Sequence, residues 1–326
     1  MNGEIIEMID NRTKLPENYL LRNKGVSYQI IDEIGRGVNN IVYNALCYDR
    51  DGIKHLARVK ELYPVYYQIE RGKEFNLRCN EINRKKFEES VIRFEKTYEK
   101  NVIFRNKYGV INSAINMTGI FKANGTEYVV MNLDEGEDYQ SYKDEGLTET
   151  LIHVKVIASM IAKYHEDGYL HLDIKPENVL IIPGLVAHLC IFDFDSVCKM
   201  SELQSKNIID LSFSEGFSAP EKVQGNISKI GPGTDIYSIG ALLFFKLFNR
   251  KPTIEDGRYA AKFNYQEMPF YNKTLGSSFL KKFDEFFHKT LVISPILRWN
   301  TMEQVIDSID ELLILSDQNS NGYLGA

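Results

Sequence analysis

The sequence predicts an α+β chain in two lobes: a small five-stranded antiparallel lobe with one main helix, then a larger, mainly helical lobe. Three observations predict it. At 326 residues the chain exceeds what one hydrophobic core usually supports. Its first third carries short apolar runs broken by Gly and Asn, the pattern of strands and tight turns. Its second half carries apolar residues at helical spacing, and the stretch IYSIGALLFFKLF (236–248) is apolar nearly all round, as a buried helix requires.

Residues 1–27 read as an N-terminal extension. YQIIDEI (28–34) and NIVYNALCY (40–48) are strands whose connector, GRGVN, is short and glycine-bearing, so they form a hairpin. HLARVKEL (55–62) is a third strand. The polar stretch from Glu74 to Lys107 places Phe87, Val91, Phe94, Tyr98 and Val102 at helical spacing. TGIFKANGTEYVVMNL then gives two strands about the turn NGT, where Asn and Gly accept positive φ cheaply. That completes a lobe over 28–133.

The second lobe, 134–313, opens with a helix for which Thr148 is the expected N-cap and Gly168 the stop. VLII and LCIF read as a short buried hairpin before the central helix. Residues 314–326 are polar and read as a flexible tail.

Composition excludes several classes. A net charge of −6 gives no global attraction to nucleic acid or anionic membrane. The cluster Arg84-Lys85-Lys86 alternates with Glu and reads as a solvated helix face. Cys47, Cys79, Cys190 and Cys198 show no CxxC spacing and read as reduced thiols. The first 20 residues carry acids where a secretion signal needs positive charge, and the most apolar stretch is too short to span a bilayer. The expectation is a soluble cytoplasmic protein.

Four local patterns carry chemistry. Gly35, Arg36 and Gly37 form a turn where backbone N–H groups can approach phosphate oxygens without a Cβ in the way, and Val42 beyond can press on a flat ring. Lys60 ends the strand LARVK; if buried, its ammonium needs a carboxylate partner. In HLDIKPEN, Asp173 can orient a hydroxyl or accept its proton, Lys175 can neutralise a phosphoryl group, and Asn178 offers a neutral oxygen to Mg²⁺. Asp193, after the buried run LCIF, supplies a second hard oxygen ligand.

Over residues 28 to 313 these motifs, in this order, resemble a eukaryotic-type (Hanks-type) serine/threonine protein kinase catalytic domain. The resemblance implies the two-lobed protein-kinase fold, and ATP with Mg²⁺, or Mn²⁺ in its place, as cofactors. GRGVNNIV is similar to the glycine-rich loop and ARVK to the strand motif carrying the lysine, making Lys60 the ligand of the α- and β-phosphates. It makes Asp173 the catalytic base, Lys175 a γ-phosphate contact, and Asn178 and Asp193 the metal ligands. In YVVMNL it makes Met131 the gatekeeper and Asn132–Leu133 the hinge, with Ala57 and Val42 enclosing the adenine. SAPE resembles the end of the activation segment, and Arg298 is expected to pair with Glu221. The implied partner is a protein carrying a Ser or Thr acceptor, not nucleic acid or membrane.

Four departures qualify the pattern. Asn40 replaces the third loop glycine. Leu172 replaces the Arg that receives an activation-loop phosphate, so activity is expected not to depend on such phosphorylation. Asp195 replaces a motif glycine and is expected to face solvent. The helix carboxylate for Lys60 is assigned to Glu99, with Glu95 as the alternative, on helical-face spacing. Ser212, Ser214 and Ser218 are candidate autophosphorylation sites. A nucleotide-binding pseudokinase and a small-molecule kinase of related fold are the rival readings.

Overall fold

A computed structural model describes residues 10–108, 115–133, 136–182, 189–191, 193–205, 213–258, 261–271 and 275–321. The chain forms two compact units, Met1–Asp134 and Glu135–Ala326.

The first unit contains β1 (Leu20–Asn23), β2 (Val26–Arg36), β3 (Asn40–Tyr48), β4 (Lys54–Leu62), the two-residue strands β5 (Glu70–Arg71) and β6 (Leu77–Arg78), helix α1 (Glu81–Tyr108), β7 (Ile115–Ala123) and β8 (Thr126–Leu133). Its main sheet is antiparallel throughout, in the order β1-β2-β3-β4-β8-β7. The five expected strands are present, and β1 adds a sixth on the edge beside β2.

The described residues before 28, from 10 onward, are not an appendage. Leu15 and Leu21 are buried in one core with Tyr43, Ala45, Ala57, Val59, Tyr63, Leu77 and Tyr128. The helix begins at Glu81, later than the polar stretch suggests, because residues 63–80 fold as turns around the β5–β6 ribbon and cover the same sheet face. Asn80 ends that segment and caps α1 by accepting the Asn83 N–H at 2.8 Å. The segment docks on the β7–β8 turn, where the Leu77 N–H donates to the Asn124 carbonyl at 2.7 Å. Gly125 has φ 71°, and a Cβ there would lie 2.5 Å from the Leu77 carbonyl oxygen, so both conformation and space require glycine.

The second unit contains β9 (Glu137–Asp138), α2 (Leu147–Glu166), β10 (Tyr169–Leu170), β11 (Val179–Ile181), β12 (Leu189–Ile191), β13 (Cys198–Lys199), α3 (Pro220–Val223), α4 (Pro232–Phe248), α5 (Ser277–Thr290) and α6 (Met302–Asn321). Strands β12-β11-β9 make one small sheet and β10-β13 a ribbon. VLII and LCIF thus pair as expected, with Val179 opposite Ile191. Helix α4 is the hub: Ile236, Ile239, Leu242, Leu243 and Phe244 are fully buried. Phe287 of α5 packs its ring against Phe244 and Phe248, and it shares one buried helical face with Phe279, Phe283 and Phe286. Gly240 allows that approach, since a Cβ there would lie 2.3 Å from Thr290 Oγ1.

Two helix boundaries differ from the sequence expectation. Helix α2 is capped by extended Gly146, not Thr148, which lies inside the first turn; Gly168, at φ 78°, does end it. Helix α6 runs to Asn321, past the expected boundary at 314, because Ile309 and Leu312 are buried and Ser316 bonds back to the Leu313 carbonyl. Among the described residues, no helix is long and apolar enough to cross a membrane.

Candidate active site

In the first unit the β2–β3 hairpin presents the glycine turn. Gly37 N–H donates to the Asn40 carbonyl at 2.9 Å, and Gly35 pairs with Val42. A Cβ at Gly35 or Gly37 would meet nothing within 4 Å. The protein itself does not need glycine at either place; what their absence of side chain preserves is open surface above the turn. Asn40 has negative φ, so the missing third glycine costs no backbone strain. Arg36 is held by Glu33, Nη2 to Oε2 2.7 Å, and by Asp10, 3.5 Å.

Strand alternation sorts the β4 candidates. Lys60 pairs with Val42 on β3 and Val129 on β8, so these three share a face, as do Arg58 and the buried Met131. Ala57 does not. It lies an odd number of residues from Lys60 and is buried on the opposite face with Ala45 and Val59. The expectation that Ala57 and Val42 enclose a ring is corrected: Arg58 occupies the Lys60 face two residues before the lysine. The backbone of Asn132 and Leu133 ends β8, opposite Ala57 and Ile115.

On α1, Glu99 is exposed. Glu95 lies 3.5 Å from Lys122 Nζ and hydrogen-bonds Glu127, whose carboxylate is 3.1 Å from the same ammonium. Burial, then the Glu95 carboxyl, pushes Glu127 up to about 7 against the pull of Lys122.

In the second unit the segment HLDIKPEN is fixed from behind by Asp235 at the start of α4. Its carboxylate accepts the N–H groups of His171 at 2.9 Å and Leu172 at 2.8 Å, and lies 2.9 Å from His165 Nε2. Burial alone would raise the Asp235 pKa, but His165 and these amides hold it below the usual carboxylate value. Leu172 has φ 65°, a left-handed conformation costly for a branched side chain. Its carbonyl accepts from the buried Lys222 ammonium, whose pKa burial lowers. The Leu172 side chain enters an apolar cluster with Leu170, Cys198, Leu203 and Ile230.

This anchored turn presents Asp173 at the centre of a polar cluster. Lys175 Nζ donates to Asp173 Oδ2 at 3.0 Å, and Asn178 Nδ2 donates to Asp173 O at 2.9 Å and Oδ2 at 3.1 Å. Ser214 Oγ donates to Asp173 Oδ1 at 2.9 Å and accepts from Lys175 at 3.0 Å. Three expected residues, Asp173, Lys175 and Asn178, are thus brought together, and Ser214 joins them in a role that sequence reasoning missed. Ser218 is buried and accepts the Ser214 N–H at 2.9 Å, while Ser212 lies outside the described residues.

Because β11 starts after Asn178 and β12 ends just before Phe192, the antiparallel hairpin carries Asn178 and Asp193 at one end. Asp193 takes φ 64°, which Asp tolerates better than most residues. Asp195 is exposed, and its negative φ shows that the motif glycine it replaces is not required here. Asn178 commits its NH₂ to Asp173, which leaves its carbonyl oxygen as the group available to a hard cation. One amide oxygen and one carboxylate suit Mg²⁺, which keeps most of its shell for water and phosphate. Arg298 grips Glu221 bidentately at 2.7 and 2.9 Å in a buried pair, as expected.

A family model described as "Protein kinase domain" matches residues 28–309. The chain is 21% identical over 254 residues to a probable serine/threonine-protein kinase of Clostridium perfringens, covering 73% of this chain and 36% of that one. It is 33% identical over 120 residues to the maternal embryonic leucine zipper kinase of Danio rerio, covering 36% of this chain and 17% of that protein. The chain therefore spans well under half the length of these relatives. Among solved structures, "PpkA-294 apo form" shares the fold with a TM-score of 0.61 at 21% identity, over 92% of this chain and 99% of that one.

Proposed function

The chain belongs to the protein kinase domain family, and on that premise we propose that it transfers the γ-phosphoryl group of Mg-ATP to Ser or Thr hydroxyls of protein substrates. The observation that carries this reading is the ring of contacts about Asp173. A carboxylate held by Asn178, Lys175 and Ser214 cannot rotate freely, so it can receive and orient an acceptor hydroxyl. Lys175, 3.0 Å away, carries positive charge to the place where a migrating phosphoryl group gathers negative charge.

Lys60 and the open turn at Gly35 and Gly37 are the proposed triphosphate contacts, with Arg36 and Val42 flanking them. Met131 and the Asn132–Leu133 backbone are the proposed base contacts. Glu99 remains the proposed carboxylate for Lys60. Asn178 and Asp193 are the residues that would hold Mg²⁺, or Mn²⁺ in its place; the ion would screen phosphate charge. The names of relatives that print serine/threonine kinase support Ser/Thr acceptors. Four free thiols are in keeping with a cytoplasmic setting.

Transfer of ³²P from γ-labelled ATP to a mixed protein acceptor tests the proposal. Wild type should label protein, and Asp173→Asn should lose at least ~100-fold in rate. Nucleotide binding without label would favour the scaffold reading, and equal rates would remove Asp173 from the role given it.

A further inference from the structure

The glycine turn of the first unit is not a free flap. Three successive carbonyls, those of Gly37, Val38 and Asn39, are each held by a donor from outside the hairpin. Arg12 Nη2 donates to Gly37 O at 2.7 Å, Val65 N–H to Val38 O at 2.9 Å, and Tyr63 N–H to Asn39 O at 2.8 Å. Tyr66 adds a hydroxyl bond to the Asn39 side chain. Arg12 is itself buried and fixed: Asp10 grips its guanidinium through Oδ1 at 2.9 Å and Oδ2 at 2.6 Å, and its Nη1 donates to the Tyr63 carbonyl. Its own carbonyl receives Arg36 at 3.2 Å.

A trans peptide points its C=O and its N–H in opposite directions. Holding Gly37 O and Val38 O therefore aims the N–H groups of Val38 and Asn39 away from the strap. Among the described residues neither N–H donates to a backbone carbonyl, and Val38 is exposed. Free amides at a turn are what an anion binds.

We infer that Arg12, together with Tyr63 and Val65, is a positioning device that presets the turn amides for the phosphates of the nucleotide. The inference rests on the kinase reading, and it adds what that reading lacks: residues 10–16 and 63–66, outside the recognised motifs, set nucleotide affinity. The strap lowers the ordering entropy that a mobile turn would lose on binding.

The test uses the full chain and compares Arg12→Ala and Arg12→Lys with wild type. Dissociation constants for Mg-ATP and for adenosine are measured by calorimetry, and amide exchange over residues 37–65 by mass spectrometry. Arg12→Ala should weaken ATP on the order of tenfold, from loss of a charge-assisted hydrogen bond. Adenosine affinity should stay within about twofold, since no phosphate is involved. Exchange at Gly37, Tyr63 and Val65 should quicken, and Arg12→Lys should recover part of both effects. Unchanged ATP affinity and exchange, or equal loss for ATP and adenosine, would overturn the inference. Should wild type bind neither ligand, the kinase reading fails while exchange still decides whether Arg12 holds the turn. If Arg12→Ala does not fold, Tyr66→Phe and Asp10→Asn loosen the same strap and should shift the same readouts in the same direction.

Discussion

The Ser214 hydroxyl bridges Asp173 and Lys175, donating to one at 2.9 Å and accepting from the other at 3.0 Å. Bonded to both partners, Ser214 is expected to act as a brace that fixes Asp173 against Lys175. Ser214→Ala should lower kcat about 10- to 100-fold, the range of one hydrogen bond to a charged group. KM for ATP should hold, and Ser214→Thr should restore most of the rate. Steady-state kinetics on the three proteins check this, and intact mass after incubation with Mg-ATP should show no phosphate at Ser214.

Glu61 predicts stability. Fully buried on β4, it pairs with Arg71 at 2.6 Å and accepts hydroxyls from Tyr43 at 3.0 Å and Tyr128 at 2.5 Å. Arg71 also donates to the Thr13 carbonyl at 2.8 Å, so this one pair joins the sheet to both segments that cover it. Glu61→Ala should cost about 3–5 kcal/mol, because it strands a buried guanidinium. Urea unfolding measures it; a loss under about 1 kcal/mol would fit an exposed pair instead.

Glu127 predicts a pH dependence. Its folded pKa, about 7, lies above the usual Glu value of 4.5 because burial and Glu95 favour the protonated form. Between those values the folded chain holds more protons than the unfolded one, so stability from this group is full below 4.5 and is lost as pH rises through 7. The stability of wild type minus that of Glu127→Gln should therefore fall between pH 5 and pH 8, on the order of 1–3 kcal/mol. A difference that stays flat across that range would refute the assignment.

Leu172 predicts independence from activation-segment phosphorylation. Where the family carries a phosphate-binding Arg, this side chain is buried with Leu203 and Ile230, so apolar packing fastens the segment that follows β13. Phosphatase treatment should leave any phosphotransfer rate within about twofold of that of the untreated protein. Leu172→Arg should cost at least ~2 kcal/mol, since the cluster offers a cation no partner.

The clustering of Asp173, Lys175 and Asn178 in the second unit was legible because these residues share one turn, and the VLII and LCIF hairpin fixes where Asp193 follows. Ser214 was not legible in that role, since it lies 41 positions after Asp173 with no local signal of the contact. The main sheet was read from its short apolar strands and turns, and strict alternation along β4 places Ala57 on the face opposite Lys60. Arg12, Leu15 and residues 63–80 escaped because their partners are backbone carbonyls and a sheet face, which leave no periodic trace in the segments that supply them.

Leu15 and Leu21 are each almost wholly buried, yet both precede residue 28, where likeness to the family starts. Homology and autonomy of folding thus part company at the amino end. A protein trimmed to the homologous span would lose Leu15 and Leu21 from the core they share with Tyr43, Ala45 and Tyr128, thinning the cover on that face of the sheet. Such a fragment should clump on expression, and a failed preparation of it would say nothing about whether the intact protein is active.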